Sequence, residues 1–435
     1  MQVTPEVKEL LSLQAVRRQA QKVLAAAERG ELLHFDYDAD EMSSVADFVS
    51  GVIARDFGPD RYHEIPPHGR WQHFDVGGVP RVAPLLARWK DNGCTDEMEL
   101  TRRLIDLFSV SVLLDAGAGN VWRFNEPGHD RVYSRSEGIA VASLYMFTAG
   151  AFTTDQSNPE SVNGQGLSQL DEATFSRHFQ LSPQNPMVGV SSRVQLLNRV
   201  GQELRKLPAI FGPEGRPGNL VDHLVKSAGS SKVLDVELLW SCLQQLLIPS
   251  WPEGRTRING QPIGDAWPLQ VLAHEAEKQG EPQTPTTSIQ PFHKLTQWLA
   301  YSLMVPFVRI LGLAWTNQGL LTGLPEYRNG GLFVDMKALR LKPEALAEGL
   351  RASGEELPGF SASGDVIVEW RAMTVALLDK LYAIISSRLA AQGVQLSMAQ
   401  MLEAGSWKAG RELAAKYRPA TGSSPILIEG DGTLF

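Results

Sequence analysis

Cysteine is scarce in this sequence, where Cys94 and Cys242 are the only two among 435 residues. One disulfide is conceivable, but so low a count is more typical of a protein from a reducing compartment. The sequence contains neither a Cys-x-x-Cys pair nor a His-Glu-x-x-His motif. It therefore lacks the short patterns that would indicate a dithiol redox protein or a zinc protease.

An excess of positive charge is also absent, because 41 Lys and Arg residues stand against 49 Asp and Glu residues, for a net charge of -8. This balance argues against a general nucleic-acid binder. No stretch of roughly 18 apolar residues could span a membrane, and the N-terminus lacks the pattern of a signal peptide. We therefore expect a cytoplasmic protein with neither a nucleic acid nor a membrane as partner.

Strand patterns are few, and apolar residues recur mostly at helical spacing. The periodicity predicts a mainly α fold whose first helix runs from Pro5 to Arg29, with short extended pieces only at "GGLFVDM" and "SPILIEGDGTLF". Two polar, turn-rich loops occupy residues 153–166 and 275–290. They suggest three helical regions, 1–155, 156–285 and 286–435, that together form one compact unit.

The polar stretch "IPPHGRWQHFDVGGVPRV", residues 65–82, is the first candidate for a site. A metal could be held by His68, His73 and Asp75 with a fourth ligand from elsewhere, although this spacing matches no standard zinc pattern. We expect neither a metal nor a cofactor. We favour contact with a substrate for His73 and Arg70.

The paired glycines of the same stretch, Gly77 and Gly78, allow two interpretations. They could cradle a phosphate, but two glycines alone are weak evidence for such a loop. They could instead turn the chain into a helix that starts near Val79, with Asp75 as its cap. We favour the turn, so both glycines and Asp75 are expected to be structural.

An acid follows a predicted helix in "LLDAGAGNVWRF", where Asp115 lies at the helix C-terminus. The helix dipole disfavours a negative charge there, and an unfavourably placed acid can indicate function. The alternative is that Asp115 forms hydrogen bonds with the Ala116–Gly119 turn. Trp122 follows in a polar setting that is suitable for a pocket wall.

The segment "QPFHKLTQWLAYSL" carries His293, Gln297 and Tyr301 at intervals of four. On one helix these side chains share a stripe. The stripe could face a cavity or solvent, and its aromatic content and lack of acids favour a cavity.

The segment "VEWRAMTVALLDKL" begins with Glu369 and Arg371, two residues apart. Such opposite charges just before an apolar helix often form a salt bridge that orients neighbouring elements. We therefore expect both residues to be structural.

The stretch "LTGLPEYRNGGLFVDM", residues 321–336, puts Glu326, Tyr327 and Arg328 between a proline and two glycines. Proline fixes the local backbone, and the glycines permit close approach by another group. A nearby cation should keep Glu326 ionised. Such a carboxylate could stabilise a cationic transition state or position a water molecule, as in glycoside hydrolysis. A structural ion pair with Arg328 is the alternative.

Together these stretches resemble the Urc4/Urg3 family of uracil catabolism, formerly a domain of unknown function, DUF1688. The resemblance covers nearly the whole chain and rests on "HGRWQHFDVGGVPRV", "LIDLFSVSVLLDAGAG", "YSRSEGIAVASL", "FHKLTQWLAYSL", "LTGLPEYRNGGLFVD", "VEWRAMTVALLDKL" and "GSWKAGRELAAKYRPATGSSPI". It implies a role in degrading uracil through its nucleotide, beside a cyclohydrolase-like enzyme and a uracil phosphoribosyltransferase. Ribosylurea or its phosphate is thought to be an intermediate of that pathway, and urea a product.

A weaker resemblance links the chain to the queuosine-salvage N-glycosidases, which are helical proteins. Their motifs are similar to Asp75–Val82, Asp115–Trp122, Leu324–Arg328 and Val368–Arg371, and Glu326 stands where they have an aspartate. Lys294 and Gln297 also match, but Ser302 replaces a second aspartate. If that aspartate acts on the substrate there, this protein uses another group or a different substrate.

The resulting hypothesis is an enzyme that hydrolyses the N-glycosidic bond of ribosylurea or its 5'-phosphate. Glu326 would orient water or stabilise positive charge, and Asp115 would bind a sugar hydroxyl or share the acid–base work. The expected substrate-binding residues are Arg328, Tyr327, His73, Arg70, Trp122, His293, Lys294, Gln297 and Tyr301. One of the two histidines would donate the proton, and Arg70 or Lys294 would bind a phosphate.

Two other functions compete with this hypothesis. A non-catalytic partner could bind other enzymes of uracil catabolism and channel an intermediate between them. A phosphoribosyltransferase is less favoured, because no apolar run ends in paired acids followed by a loop of small residues. The expected partner of the hydrolase is a small, nucleoside-like substrate.

Overall fold

The computed structural model of the protein describes residues 4–115, 117–282 and 284–430. These residues form two compact units. Unit 1 comprises residues 4–68, 254–297 and 319–430, and unit 2 comprises residues 69–253 and 298–318. Each unit is assembled from segments that are distant in sequence.

The described residues are mainly helical, which confirms the predicted fold class. In chain order the α-helices are α1 (Pro5–Leu10), α2 (Leu13–Glu28), α3 (Glu41–Phe57), α4 (Arg70–Phe74), α5 (Val82–Asp91), α6 (Glu97–Leu113), α7 (Arg135–Thr148), α8 (Gly164–Gln169), α9 (Glu172–His178), α10 (Val190–Lys206), α11 (Pro208–Phe211), α12 (Leu220–Ala228), α13 (Val236–Leu247), α14 (Gln270–Lys278), α15 (Lys294–Arg309), α16 (Tyr327–Asp335), α17 (Pro343–Ser353), α18 (Asp365–Ala390), α19 (Met398–Met401) and α20 (Trp407–Tyr417). Short 3-10 turns occur at Tyr62–Glu64, Val76–Gly78, Pro217–Asn219, Ile248–Ser250 and Gln318–Leu320, and a π-helix at Leu402–Ser406.

The strands are short and pair only two by two within the described residues. They are β1 (Phe35–Tyr37), β2 (Phe124–Asn125), β3 (Val132–Tyr133), β4 (Val233–Asp235), β5 (Arg257–Ile258), β6 (Gln261–Pro262), β7 (Ala266–Pro268), β8 (Ile289–Pro291), β9 (Ala314–Thr316), β10 (Leu339–Leu341), β11 (Gly359–Ser361) and β12 (Leu427–Glu429). The pairs β1–β10, β2–β3, β5–β6 and β7–β8 are antiparallel, and β4–β9 and β11–β12 are parallel.

Unit 1 is organised around α18, which packs against α2, α3 and α16. Every residue from 366 to 378 of this helix is buried. A helix that is buried on all sides must be apolar or must supply partners for each polar group it carries. Glu369 and Arg371 lie in this stretch, so both need partners inside unit 1.

Unit 2 is organised around α6, which packs against α4, α7, α10 and α12. Its residues 104–113 are all buried. The acid in this stretch, Asp106, accepts hydrogen bonds from Arg216 Nε and Gly218 N, both at 2.7 Å. Helix α6 ends at Leu113, two residues before Asp115, so this packed core helix fixes the position of the Asp115 backbone.

Several local expectations need correction. The first predicted helix is interrupted, because Ser12 accepts a hydrogen bond from Ala15 N and starts a new helix, α2. The extended piece predicted at "GGLFVDM" is wrong, since these residues belong to α16. The piece at "SPILIEGDGTLF" is a strand at Leu427–Glu429, and its last five residues lie outside the described ranges. Among the described residues we find no helix of the length and apolarity that crossing a bilayer requires.

Candidate functional site

Glu326 is the N-cap of α16, and its carboxylate is held by the backbone of the first helical turn. Oε2 accepts a hydrogen bond from Arg328 N at 2.7 Å, and Oε1 accepts one from Asn329 N at 2.6 Å. An acid at this position also interacts favourably with the helix dipole. The Glu326 carboxylate, which the sequence predicted to be rigidly held, is therefore fixed because it caps the N-terminus of α16.

Burial raises the pKa of the Glu326 carboxyl, and the two backbone N–H groups, Lys294 and Arg328 oppose this shift only in part. Arg328 favours the charged form, as expected, but the effect of burial is larger and the pKa is raised overall. Protein surrounds the carboxyl, although the residue as a whole is only half-buried. A carboxyl with a raised pKa can carry a proton nearer to neutral pH, which general acid catalysis requires.

Arg328 does not hold the Glu326 carboxylate through its guanidinium. Its Nη1 donates a hydrogen bond to Gly422 O at 2.8 Å, and its Cζ lies 4.8 Å from the centre of the Tyr327 ring. The side chain is 7% exposed. The proposed ion pair between residues 326 and 328 is thus replaced by a cation that lies against an aromatic ring and a neighbouring loop.

The two glycines after Arg328 serve close packing, as the sequence predicted. A Cβ at Gly330 would lie 2.8 Å from an atom of the Trp370 indole, and the indole Nε1 donates to Gly330 O at 3.2 Å. A Cβ at Gly331 would lie 3.0 Å from Pro425. The first turn of α16 is therefore fixed between α18 and the segment before β12.

A second acid of unit 1, Asp265, was missed by sequence reasoning. It is 2% exposed and accepts hydrogen bonds from Arg371 Nη1 and Nη2, both at 2.8 Å. Its Oδ2 also accepts from Lys294 N at 2.9 Å, at the start of α15. Burial alone would raise the pKa of Asp265, but Arg371 and these hydrogen bonds lower it well below its usual range. No local pattern around residue 265 indicated this role.

Glu369 and Arg371 do not pair with each other, which corrects the expected salt bridge. Glu369 instead accepts backbone hydrogen bonds from Leu33 N, His34 N and Phe35 N at 2.9, 2.9 and 3.0 Å. Both residues remain structural in this arrangement. Burial raises the pKa of the Glu369 carboxyl, and the backbone N–H groups oppose the shift.

The expected stripe of His293, Gln297 and Tyr301 is not one face of a helix, because α15 begins only at Lys294. His293 precedes it with a φ of 46°, and its Nε2 lies 2.8 Å from Leu10 O. Burial lowers the pKa of this imidazole. Gln297 is occupied by the backbone N–H and hydroxyl of Thr322. Tyr301 is 5% exposed and belongs to unit 2.

The metal alternative at residues 65–82 finds no support in the geometry. His68 Nδ1 lies 2.6 Å from Glu403 Oε2, on the π-helix. In the ranges that the structure describes, no group of three or more His, Cys, Asp or Glu side chains could hold a metal ion.

In unit 2, Arg70 is fully buried and its guanidinium is occupied by protein. Nε donates to Ser111 Oγ at 2.8 Å and Nη2 donates to Ser111 O at 3.0 Å. Nη1 lies 2.7 Å from Asp115 Oδ2 and 3.1 Å from His73 Nδ1. With 0% exposure, Arg70 is a positioning residue rather than the substrate or phosphate contact expected from the sequence.

Asp115 and His73 therefore form one cluster around Arg70. Asp115 Oδ2 also accepts a hydrogen bond from Trp298 Nε1 at 3.2 Å, and the His73 and Trp298 rings lie 5.3 Å apart. Arginine only donates, so His73 Nδ1 accepts, and a neutral imidazole then carries its proton on Nε2. Part of the alternative turn, residue 116, lies outside the described residues. Asp115 and His73 are 8% and 5% exposed.

A buried arginine that the sequence did not single out clamps the turn after Asp115. Arg193 is 0% exposed and donates to Leu114 O at 3.0 Å and to Gly117 O at 2.9 Å. Burial lowers its pKa to about 10, and the charge of Asp115 opposes this shift. Arg193 thus fixes the backbone on both sides of the acid.

The glycine pair of residues 77 and 78 forms the predicted turn. Gly77 and Gly78 have φ values of 71° and 70°, which favour glycine. Asp75 Oδ1 accepts from Arg81 N at 2.6 Å and Val82 N at 3.1 Å, so it caps α5, which starts three residues later than expected. The Arg81 guanidinium pairs with Glu126 at 2.7 and 2.8 Å.

Trp122 belongs to the core of unit 2. It is 0% exposed, its Nε1 donates to Phe179 O at 2.8 Å, and it stacks on the Phe179 ring at 5.7 Å. The expectation that Trp122 lines a pocket is therefore corrected. The polar residues around Trp122 in the sequence therefore do not mean that its own side chain is exposed.

Comparison with known proteins gives consistent results over almost the entire chain. The family model described as "Protein of unknown function (DUF1688)" matches residues 9–435. "Protein urg3" of Schizosaccharomyces pombe is 47% identical over 433 residues, covering 99% of this chain and 100% of the relative. "Uracil catabolism protein 4" of Lachancea kluyveri is 43% identical over 450 residues, covering 100% of both chains.

Proposed function

Since the chain belongs to the DUF1688 family, we propose that it acts in uracil catabolism, the process that its Lachancea kluyveri relative is named for. Within that process, we propose that it hydrolyses the N-glycosidic bond of ribosylurea or its 5'-phosphate. The observation that carries this proposal is the Glu326 carboxyl, which two backbone N–H groups hold in place and whose pKa is raised by burial.

The reaction sets clear chemical demands. The bond between the anomeric carbon and nitrogen breaks, a water oxygen adds to that carbon, and one proton moves to the departing urea. The sugar develops oxocarbenium character as the bond breaks. Urea is a poor leaving group as an anion, so a proton donor is needed.

Glu326 suits the role of proton donor better than His293. Burial raises its pKa, which is the direction that a proton donor needs, and its fixed position limits the motion needed for transfer. Burial lowers the pKa of His293, and its Nε2 lies against Leu10 O, so His293 is a weak source of protons. This assignment replaces the histidine donor expected from the sequence.

Asp115 of unit 2 is the second acid that the sequence predicts to be catalytic, and its role is proposed separately from that of Glu326. Its ion pair with Arg70 at 2.7 Å favours the charged carboxylate. An ionised carboxylate stabilises positive charge at an anomeric carbon or accepts a hydrogen bond from a sugar hydroxyl. We therefore propose acid catalysis for Glu326 of unit 1, and the charge of Asp115 in unit 2 is tested by its own variant.

The test is release of urea from synthetic ribosylurea and its 5'-phosphate by the pure protein and its variants. We expect Glu326→Gln and Asp115→Asn to lower kcat by about 10²–10⁴-fold, the range typical of general acid–base groups. Matched controls are Glu9→Gln and Asp47→Asn, whose side chains are 53% and 70% exposed. The controls should retain the rate of the unmodified protein.

The pH profile adds a second criterion. A general acid must be protonated, so the rate should fall as the pH rises through the raised pKa of Glu326. Glu326→Gln should remove that limb of the profile. Unchanged rates in both variants would contradict the assigned roles. Absence of urea from both compounds would contradict hydrolysis and favour the channelling function.

A further inference from the structure

Arg328 is a buried cation without a carboxylate partner in the described part of the chain. Its side chain is 7% exposed, and its single hydrogen bond runs from Nη1 to Gly422 O at 2.8 Å. A guanidinium has five N–H donors, so most of its hydrogen-bonding capacity is unused. The Tyr327 ring, 4.8 Å from Cζ, supports the guanidinium without neutralising it.

Two other arginines of unit 1, the buried Arg371 and the half-buried Arg418, show how a carboxylate can accompany such a charge. Arg371 binds both oxygens of Asp265, and Arg418 binds both oxygens of Asp335. Taking a charge out of water is unfavourable unless an opposite charge accompanies it. At Arg328 the Glu326 carboxyl acts only through space, so a bound anion would add the paired contact that Arg371 and Arg418 have.

The loop that accepts the Arg328 hydrogen bond is rich in groups that bind anions. Residues 421–424 read "TGSS", and they carry three hydroxyl groups beside glycine. The N–H groups of Thr421 and Gly422 donate to Arg418 O and that of Ser423 donates to Thr421 Oγ1, so the loop would bind an anion through its serine hydroxyls. The loop is partly exposed, so a ligand could reach it.

We propose that Arg328 and the loop of residues 421–424 bind the 5'-phosphate of the substrate. This inference rests on the proposed function and narrows it, because it makes the phosphorylated compound the substrate. Guanidinium and phosphate form parallel, charge-assisted hydrogen bonds, which a neutral ribose cannot replace. Arg328 takes over the phosphate role that the sequence gave to Arg70, whose guanidinium is occupied.

The surrounding packing holds the two parts of this site in fixed positions. Arg418 Nε donates to Ser423 O at 2.7 Å while its other nitrogens bind Asp335, so the loop is tied to the end of α16. A Cβ at Gly410 of α20 would lie 2.2 Å from Arg328 O. Such close packing leaves the backbone of Arg328 little freedom, as a preorganised anion site requires.

Direct binding tests the site without any turnover. Calorimetric titrations would use ribose 5-phosphate, ribose and inorganic phosphate with the unmodified protein, Arg328→Met, Arg328→Lys and Arg340→Met. Hydrogen bonds to charged groups are worth about 1.5–3 kcal/mol, so Arg328→Met should weaken ribose 5-phosphate binding by roughly 10–150-fold. The affinity of Arg328→Lys for ribose 5-phosphate should lie between those of the unmodified protein and Arg328→Met, because lysine keeps the positive charge but lacks the paired N–H donors of a guanidinium.

Arg340→Met is the matched control, since Arg340 is 53% exposed and pairs with Asp38 at the surface. It should bind ribose 5-phosphate as the unmodified protein does. Equal affinity for ribose and ribose 5-phosphate would overturn the proposal. So would an Arg328→Met variant that keeps its thermal unfolding midpoint and its affinity for ribose 5-phosphate. Binding of inorganic phosphate that is insensitive to Arg328 would indicate a different anion site and would also count against it.

Kinetics separate this inference from the proposed function. In Arg328→Met, the ratio of kcat/KM for the 5'-phosphate to that for ribosylurea should fall by about 10-fold or more, the lower bound set by a single charged hydrogen bond. An unchanged ratio would overturn the phosphate site while hydrolysis stands. Arg328-dependent binding of ribose 5-phosphate without any release of urea would overturn hydrolysis while the phosphate site stands.

Discussion

Removal of the Asp265 carboxylate should destabilise the protein more than loss of any exposed ion pair. Asp265 is 2% exposed and accepts hydrogen bonds from Arg371, Trp267 Nε1 and Lys294 N at distances of 2.8–2.9 Å. Asp265→Ala leaves Arg371, which is also 2% exposed, without this carboxylate. Breaking a buried pair from one side typically costs about 3–5 kcal/mol, and we expect a loss in this range.

Removing both charges should be less harmful than the two single changes suggest. Asp265→Ala with Arg371→Met leaves no buried charge behind, and the methionine fills part of the volume. The double-mutant cycle should therefore give a coupling free energy of about 2 kcal/mol or more, at the upper end of values for residues in contact.

The assay is urea-induced unfolding, in which the free energies of unfolding of the variants are compared provided that their m-values agree. Glu9→Gln is the control. Glu9 pairs with Arg18 at 2.6 Å, but both side chains are about half exposed, at 53% and 48%. The control should change the free energy of unfolding by less than about 1 kcal/mol. A comparable small change for Asp265→Ala, or additivity in the double variant, would refute the argument from buried charge.

The pH dependence of this pair has a definite sign. Arg371 and the hydrogen bonds outweigh burial and lower the pKa of Asp265, so the folded state favours the ionised form. The stabilisation is complete above the ordinary carboxyl pKa of about 4 and is lost as the pH falls below it toward the lowered value. Asp265→Ala should therefore differ most from the unmodified protein above that pH.

Two further predictions concern glycine and histidine. Gly410→Ala should destabilise the protein by a few kcal/mol, because the new Cβ would lie 2.2 Å from Arg328 O. Gly51 is exposed on α3 with open space around it, so Gly51→Ala should stabilise the protein by about 0.5–1 kcal/mol. Thermal unfolding midpoints that ranked the two variants in the opposite order would contradict the packing. His34 lies 2.9 Å from Asp365, and although burial lowers its pKa, the acids around it raise the pKa overall. Its stabilisation should be complete below the ordinary histidine pKa of about 6.5 and disappear as the pH rises through the raised value, and an NMR titration that showed a lowered pKa would disprove this.

The helical fold was accessible from the sequence because its evidence is local. The stripe of apolar residues in α3 and the cap at Asp75 depend on residues a few positions apart. Close packing at Gly330 was also predicted, because glycine permits close approach, although the segment was expected to be extended rather than helical. The partner of Arg371 was not readable, because Asp265 lies 106 positions away and only the tertiary fold brings the two together.

Local charge pairs were the least reliable guide to the site, and helix geometry explains why. Glu369 and Arg371 are two positions apart on α18, and side chains at that spacing point in different directions. They consequently bind the backbone at residues 33–35 and Asp265, respectively. At the start of α16, Glu326 turns back to cap the helix while the Arg328 side chain leaves toward Gly422. That geometry keeps the two side chains from forming an ion pair, and the two proposed roles, a proton donor at Glu326 and a phosphate contact at Arg328, depend on this separation.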